Sequence, residues 1–448
     1  MDNKIPKDLR ERLSLPWYLK TVLYLLLFLT RLFRRYEYPR VHDPTVENIR
    51  NGVYGVSKSM RPVVHAQKGS GLEKYFKNEQ KKPKKFLPSE FIPEYTASMT
   101  FCGDLMKNDI IRNSRNTFYQ NVAHEIFDDD ISVANLESTL TLEKIDQTTY
   151  QYKETPQINA TLDDYLAMVG HRDKQFSLFH LANNHILDRG FEGYQTTVKR
   201  LEQDGILHFG TNITPENQKS GLIYEVKGIQ FGFVGFTYSL NLKPMPEDMP
   251  YLINYIPFHN PKIYPDLSPL KIQIENLRKK GCDLVVVSLH WGIEYEFFPT
   301  PRQVEIAHYL SEKGADLIVC HHPHCIQPYE FYQTDRDPDR IVPILYSLGN
   351  LSANKSNPHI VLNLISKIKI AKGSCKNEQK TFIQNIDLIP VFQHEIVPDN
   401  AEDRYLQIER LRDQVNKVHS DKEYQYYLEV MGKYADLVIG TSWRKNEE

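Results

Sequence analysis

GADLIVCHHPHCIQP, Gly314 to Pro328, runs from a glycine through an apolar β-type segment into three histidines within four positions, with Cys320 and Cys325 on either side. Cysteine and histidine are the usual zinc ligands, but a self-contained cluster is a poor reading. Too many ligand groups would crowd one ion at the wrong spacing. The other reading is a strand whose end carries functional side chains, as happens at the carboxyl edge of open α/β sheets.

Other apolar runs end the same way. They are ASMTF (97–101), ISVANLE (131–137), FSLFHLA (176–182), IQFGFVGFT (229–237), DLVVVSLHW (283–291), DLIVCHH (316–322) and IVPILYSLG (341–349). GD follows the first, NLE closes the second, NNH follows the third, HW ends the fifth and HHPH the sixth. Between runs lie helix-like segments such as 191–205 and 301–314, each closing on a glycine that suits a C-cap. Alternation of this kind predicts an α/β fold with both sheet faces covered. Five strand ends then present their chemistry at one edge.

With 55 basic and 57 acidic residues in 448, net charge gives no argument for a nucleic-acid partner, and none is expected. The five cysteines, at 102, 282, 320, 325 and 375, lack the pairing expected of a disulfide framework or a four-cysteine zinc ribbon. Near the N-terminus an apolar run from Thr21 to Thr30 is bounded by Lys20 and Arg31. Spanning a bilayer takes about 20 residues, so the run alone is too short. With Lys20 snorkelling, the window Leu13 to Phe33 approaches that length. A spanning anchor, an interfacial helix and a buried helix compete, and membrane association is the expectation. The side of the membrane is not readable, because lysines and arginines flank the run at both ends.

The chain divides into a membrane-associated segment at 1–40, a linker or surface extension at 41–94, a main domain at 95–395 and a helical C-terminal extension at 396–448. The extension shows Leu406, Leu411, Val415 and Val418 at roughly helical spacing.

Singly, the strand-end residues have ordinary readings. Asp104 suits a turn, Glu137 a helix start, Asn184 and His185 a turn and cap, and His290 a hydrogen-bonded core position. Together they make the donor set of a binuclear metal site. Two divalent ions about 3.5–4 Å apart need a bridging carboxylate, with oxygen and imidazole ligands completing each shell. His322 and His324, one residue apart, share a face on a strand or diverge toward two ions on a loop.

From about Ser98 to Leu351 the chain resembles the capsule-synthesis CapA family, poly-γ-glutamate capsule proteins of the calcineurin-like metallophosphoesterase superfamily. The matching stretches are GDLM (103–106), NLES (135–138), LANNHILDRGFEG (181–193), FTYSLN (236–241), HWGIEY (290–295), GADLIVCHHPHCIQP (314–328) and YSLGN (346–350). The resemblance implies a four-layer α/β/β/α sandwich with two divalent ions, of Mn, Zn or Fe, at one edge. It implies Asp104 and His324 as first-metal ligands, Glu137 as the bridge, and Asn184, His290 and His322 as second-metal ligands. His185 resembles the general acid, and Asp188 could orient its imidazole or cap a helix. Met106 stands where the wider superfamily has a histidine, and Cys320 where a glycine is usual. Arg189 and Arg302 are substrate-anion candidates by position, and Thr237, Tyr238 and Asn241 either line the pocket or form a turn.

The implied function is a metal-dependent hydrolase, of phosphoesterase or γ-glutamyl amide type, acting in synthesis or export of a poly-γ-glutamate-type anionic surface polymer. The alternatives are a non-enzymatic, metal-containing component of a membrane synthetase, with partner subunits, and an intracellular phosphoesterase.

Overall fold

IQFGFVGFT forms the strand Ile229–Thr237 because β-branched and aromatic residues fit a pleated surface, and here both faces are covered, so nearly every side chain is buried. The computed structural model of the chain describes residues 58–59, 61–82, 85–141, 157–260, 263–400 and 403–445. Two sheets dominate it. The first runs Tyr405–Arg410, Glu378–Ile396, Leu362–Cys375, Ile92–Leu105, Ile131–Leu136, Leu178–His180 and Leu207–Phe209, with Asn350–Ser352 also pairing to Ile92–Leu105. The second runs Tyr329–Gln333, Ile341–Leu345, Leu317–His321, Leu284–His290, Ile229–Thr237 and Leu222–Val226.

Strand alternation sorts the core into layers. Met99, Phe101, Val133 and Leu178 from the first sheet share one apolar core with Phe231, Phe233 and Val286 from the second. Their neighbours Cys102, Ala134, Leu136 and Phe179 face the other way, into a core completed by Tyr119, Tyr165 and Leu201. On the outside of the second sheet, helices Ser268–Lys279 and Pro301–Glu312 bury Leu270, Ile274, Ile306 and Leu310. The layers are therefore helix, sheet, sheet, helix. At the seam a Cβ on Gly235 would come within 2.7 Å of the His180 ring, so glycine sets how closely the sheets approach there.

Parallel pairing brings the strand ends level. Asp104 pairs with Asn350 on one side and Asn135 on the other, and Asn135 pairs with His180. In the second sheet Thr237 pairs with His290 and His290 with His321. One edge of the sandwich thus carries a polar row from each sheet.

Two sequence expectations change. In the stretch at 41–94, expected to be a linker or surface extension, described residues pack onto the domain. Helix Leu72–Glu79 buries Phe76 against Phe298 and Tyr346, its Tyr75 hydroxyl donates to Glu330, and Lys58 pairs with buried Glu296 at 3.1 Å. Lys74, Lys77, Lys81 and Lys82 mask an amphipathic pattern in which Leu72, Tyr75 and Phe76 share a face. Burying one phenylalanine contributes about 1.5–3 kcal/mol. The C-terminal part is likewise not wholly helical. Tyr405–Arg410 is a strand antiparallel to Glu378–Ile396, with Leu406 and Ile408 buried at period two, while Val418 is 99% exposed. Helix Lys422–Ile439 follows and packs through Leu428, Met431 and Ala435. The expected membrane segment at 1–40 lies outside the described residues, among which no helix is long and apolar enough to cross a membrane.

Candidate metal centre

A backbone contact seats Asp104. A Cβ on Gly103 would lie 2.1 Å from the Gly349 carbonyl oxygen, so only glycine allows the two segments this close. The Asp104 N–H donates to that same oxygen at 2.9 Å. The carboxylate accepts from Asn135 Nδ2 at 2.8 Å and from the His322 backbone N–H at 3.1 Å. His321 Nδ1 lies 3.0 Å and His324 Nδ1 3.6 Å from its oxygens. Burial would raise its pKa, but the facing His321 and His324 hold Asp104 well below the usual carboxylate range.

Glu137 is the opposite case. It is fully buried, and neither side-chain oxygen has a hydrogen-bond partner. Its Oε1 faces His290 Nε2 at 3.5 Å, His324 Nε2 at 3.8 Å and His185 Nε2 at 3.9 Å. Burial, then the charge of Asp104, pushes Glu137 well above the carboxylate range. A buried carboxylate without donors costs folding free energy unless a cation or proton compensates it.

The surrounding donors fit a metal. Ligand atoms of Asp104, Glu137 and His290 lie within 4.8 Å of one another, as do those of Glu137, His322 and His324. Asn184 Oδ1 lies 2.7 Å from His290 Nε2, so an amide oxygen and an imidazole nitrogen converge beside Glu137. Mixed oxygen and nitrogen donors around a shared carboxylate suit hard to borderline divalent ions.

Surrounding amides orient these groups, as partners of metal ligands commonly do. Asn350 Oδ1 is 2.9 Å from His324 Nδ1, which leaves Nε2 toward Glu137. Asn184 Nδ2 donates to Asn241 Oδ1, turning its own oxygen inward. Asn183 Nδ2 donates to Asn135 Oδ1. His322 and His324 both adopt left-handed backbone, with φ of 96° and 55°. Such conformations cost about 1–3 kcal/mol each and collect at functional sites. Burial holds His290 and His322 well below the usual imidazole range. Burial would lower His324 too, but Asp104 and Glu294 raise it.

His185 sits beside this cluster. Its Nδ1 is 2.7 Å from Asp188 Oδ2, which also accepts from the Ile158 N–H at 2.6 Å. The pair fixes the ring with Nε2 on the Glu137 side. Asp188 ends in a short turn and does not cap the following helix, which begins at Gly190 with Arg189 before it.

All eight candidate site residues therefore lie at one edge. The other candidate residues divide. Tyr238 lies over His322, with ring centroids 4.5 Å apart, and Asn241 reaches His185. Thr237 is a buried turn residue whose hydroxyl donates to Ser239 O. Arg302 donates to Asn260 O and Arg189 to Gln157, and neither contacts the cluster. Cys320 packs in the core, its thiol pushed up to about 12 by burial, and the Cys325 thiol donates to Glu296 O behind the loop. Sequence spacing does not mark Asn135 and Asn350, which lie level with Asp104 on adjacent strands and are revealed only by register.

A family model described as "Bacterial capsule synthesis protein PGA_cap" matches residues 98–355. A capsule biosynthesis protein CapA of Bacillus anthracis is 28% identical over 264 residues, 56% of this chain and 59% of that protein. The PGA biosynthesis protein CapA of Bacillus subtilis is 27% identical over 259 residues, 56% of this chain and 62% of that one. The match thus spans about six-tenths of these relatives' length. A solved calcineurin-like phosphoesterase from Bacillus subtilis aligns at 15% identity with a TM-score of 0.34, covering 76% of this chain and 99% of that one.

Proposed function

The chain belongs to the bacterial capsule synthesis protein family, and from that premise we propose that it is a metal-dependent hydrolase acting on an anionic polymer of poly-γ-glutamate type. The observation that carries this reading is Glu137, a buried carboxylate without hydrogen-bond donors, ringed by imidazoles and within 4.8 Å of an Asp104 ligand atom. Asp104 and His324 would hold one divalent ion, Asn184, His290 and His322 the other, and Glu137 both. Ions of Mn, Zn or Fe bound there would polarise the scissile centre and activate a water nucleophile.

The chain's own groups then account for selectivity and proton transfer. Asp188 holds His185 Nδ1, so Nε2 is the position from which a proton reaches the leaving oxygen or nitrogen. Tyr238 covers His322 and limits water on that side. The N-terminal apolar run supports attachment to a membrane carrying polymer-synthesis partners.

Elemental analysis of the purified chain, with a panel of phosphomonoesters, phosphodiesters and γ-glutamyl amides, tests the reading. Asp104→Asn, His290→Ala and His324→Ala should each lose metal, and His185→Ala should keep metal and lose turnover. Unchanged metal content in all three ligand variants refutes the site. Met106, in place of a nitrogen ligand near Asp104, favours a second reading: a metal-loaded component of a synthetase without turnover. Full metal content with no hydrolysis of any panel member supports that one.

A further inference from the structure

We propose that Lys355 Nζ and the Tyr295 hydroxyl form an anion subsite beside the metal centre, which takes a carboxylate or phosphate oxygen of the substrate. The role of this oxygen as part of a substrate rests on the hydrolase reading, whereas its binding does not.

Tyr295 is built into place. It has φ of 60°, a left-handed conformation unusual for a tyrosine, and its N–H donates to Pro323 O at 2.7 Å, within the histidine loop itself. Its ring lies 5.9 Å from that of His324 and 6.1 Å from that of His359, and it packs with Ala353 and Ile360. The side chain is buried, so its hydroxyl points where the backbone and these neighbours send it.

That hydroxyl meets Lys355. Nζ donates to it at 2.9 Å and stands 4.8 Å over the ring. Among the described residues no carboxylate lies within ion-pair distance of Lys355, although the ammonium is half-buried. A partly desolvated cation that makes no ion pair gains most from an arriving anion. The loop carrying it is anchored from outside, since the Tyr427 hydroxyl in the C-terminal helix donates to Ser356 O at 2.6 Å.

Ring contact places the subsite beside the candidate ligands: Tyr295 lies 5.9 Å from the His324 ring, whose Nε2 is 3.8 Å from Glu137 Oε1. In the metal-free protein the ionised Asp104 opposes an arriving anion. Divalent ions reverse that balance, so anion and metal should bind cooperatively. Arg189 and Arg302 have no comparable placement, since they donate to Gln157 and to Asn260 O.

Titration calorimetry on the manganese-loaded full chain tests this, with inorganic phosphate and γ-glutamyl-glutamate as probes. Lys355→Met should weaken whichever probe the wild type binds by about tenfold or more, the value of a charge-assisted hydrogen bond. Lys355→Arg should weaken it by less than about threefold, and Tyr295→Phe by about threefold or more. Phosphate-only or peptide-only dependence on Lys355 identifies the source of the anion. Affinities of Lys355→Met within about twofold of wild type for both probes, at unchanged metal content, overturn the subsite. Failure of the wild type to bind either probe overturns it as well. If Lys355→Met does not fold, Lys355→Arg and Tyr295→Phe decide, and unchanged affinity in Tyr295→Phe overturns it. A wild type that takes up no metal yet binds phosphate through Lys355 would refute the hydrolase reading and leave the subsite standing.

Discussion

Replacing Glu137 by glutamine should reverse the order of stability depending on whether metal is present. In the metal-free chain both Glu137 oxygens are buried without donors, beside the ionised Asp104. Its folded-state pKa is raised above the unfolded value, so the native protein holds a proton that the unfolded chain releases. The stabilisation from that proton is full below about pH 4.3 and is lost as pH rises toward the raised native value. Over that window the wild type loses up to about 1.4 kcal/mol per pH unit from this one group. Glutamine cannot ionise and shows no such slope. At pH 7 to 8 metal-free Glu137→Gln should therefore be more stable than metal-free wild type by about 1–3 kcal/mol, the usual cost of an unsatisfied buried polar group. In a domain of this size that is on the order of 2–5 °C in Tm. Metal at a hundredfold excess over Kd stabilises the wild type by about 2.7 kcal/mol. The variant should gain little, so the order inverts. Differential scanning calorimetry with chelator and then with manganese, at pH 5, 6, 7 and 8, measures both arms. A metal-free variant less stable than metal-free wild type at pH 8, or a gap that does not widen with pH, refutes the reasoning.

Gly103→Ala should cost about 1–3 kcal/mol or more by urea denaturation and lower metal content by elemental analysis, because the new methyl would meet Gly349 O at 2.1 Å and displace Asp104. An alanine variant of wild-type stability and metal content would show that the contact relaxes freely. Metal uptake near pH 7 should release protons, since Glu137 and His324 are both raised whereas His290 and His322 are already neutral. Metal affinity then falls as pH drops through the raised His324 range. Calorimetry in two buffers of different ionisation enthalpy counts those protons, and zero release contradicts the assignment.

The strands and the ligand edge were legible because each apolar run stops at a chemically distinctive pair or triplet. IQFGFVGFT is the observed strand residue for residue, and DLVVVSLHW differs from its strand by one residue at each end. The supporting amides were not legible. Asn135 and Asn350 act by facing a neighbour in register and Asn183 acts from a loop through its bond to Asn135, and neither arrangement is encoded by local spacing. Lys355 carries no local signal either, because its place beside Tyr295 depends on a contact between segments 60 residues apart in the chain. Leu72–Glu79 was hidden by surface lysines, and Tyr405–Arg410 by the wrong choice of period over a short stretch that both periods fit.

The candidate ligands divide between the two sheets: Asp104, Glu137 and Asn184 follow strands of the first, while His290, His322 and His324 follow strands of the second. Ions bound there would cross-link the sheets at one end only, leaving the far end to apolar packing. The sandwich then behaves like a clasped book, and metal loading should slow amide exchange most near the clasp, at the ends of Ile131–Leu136 and Leu284–His290. Metal supply would thereby govern how readily the domain opens as well as what it does.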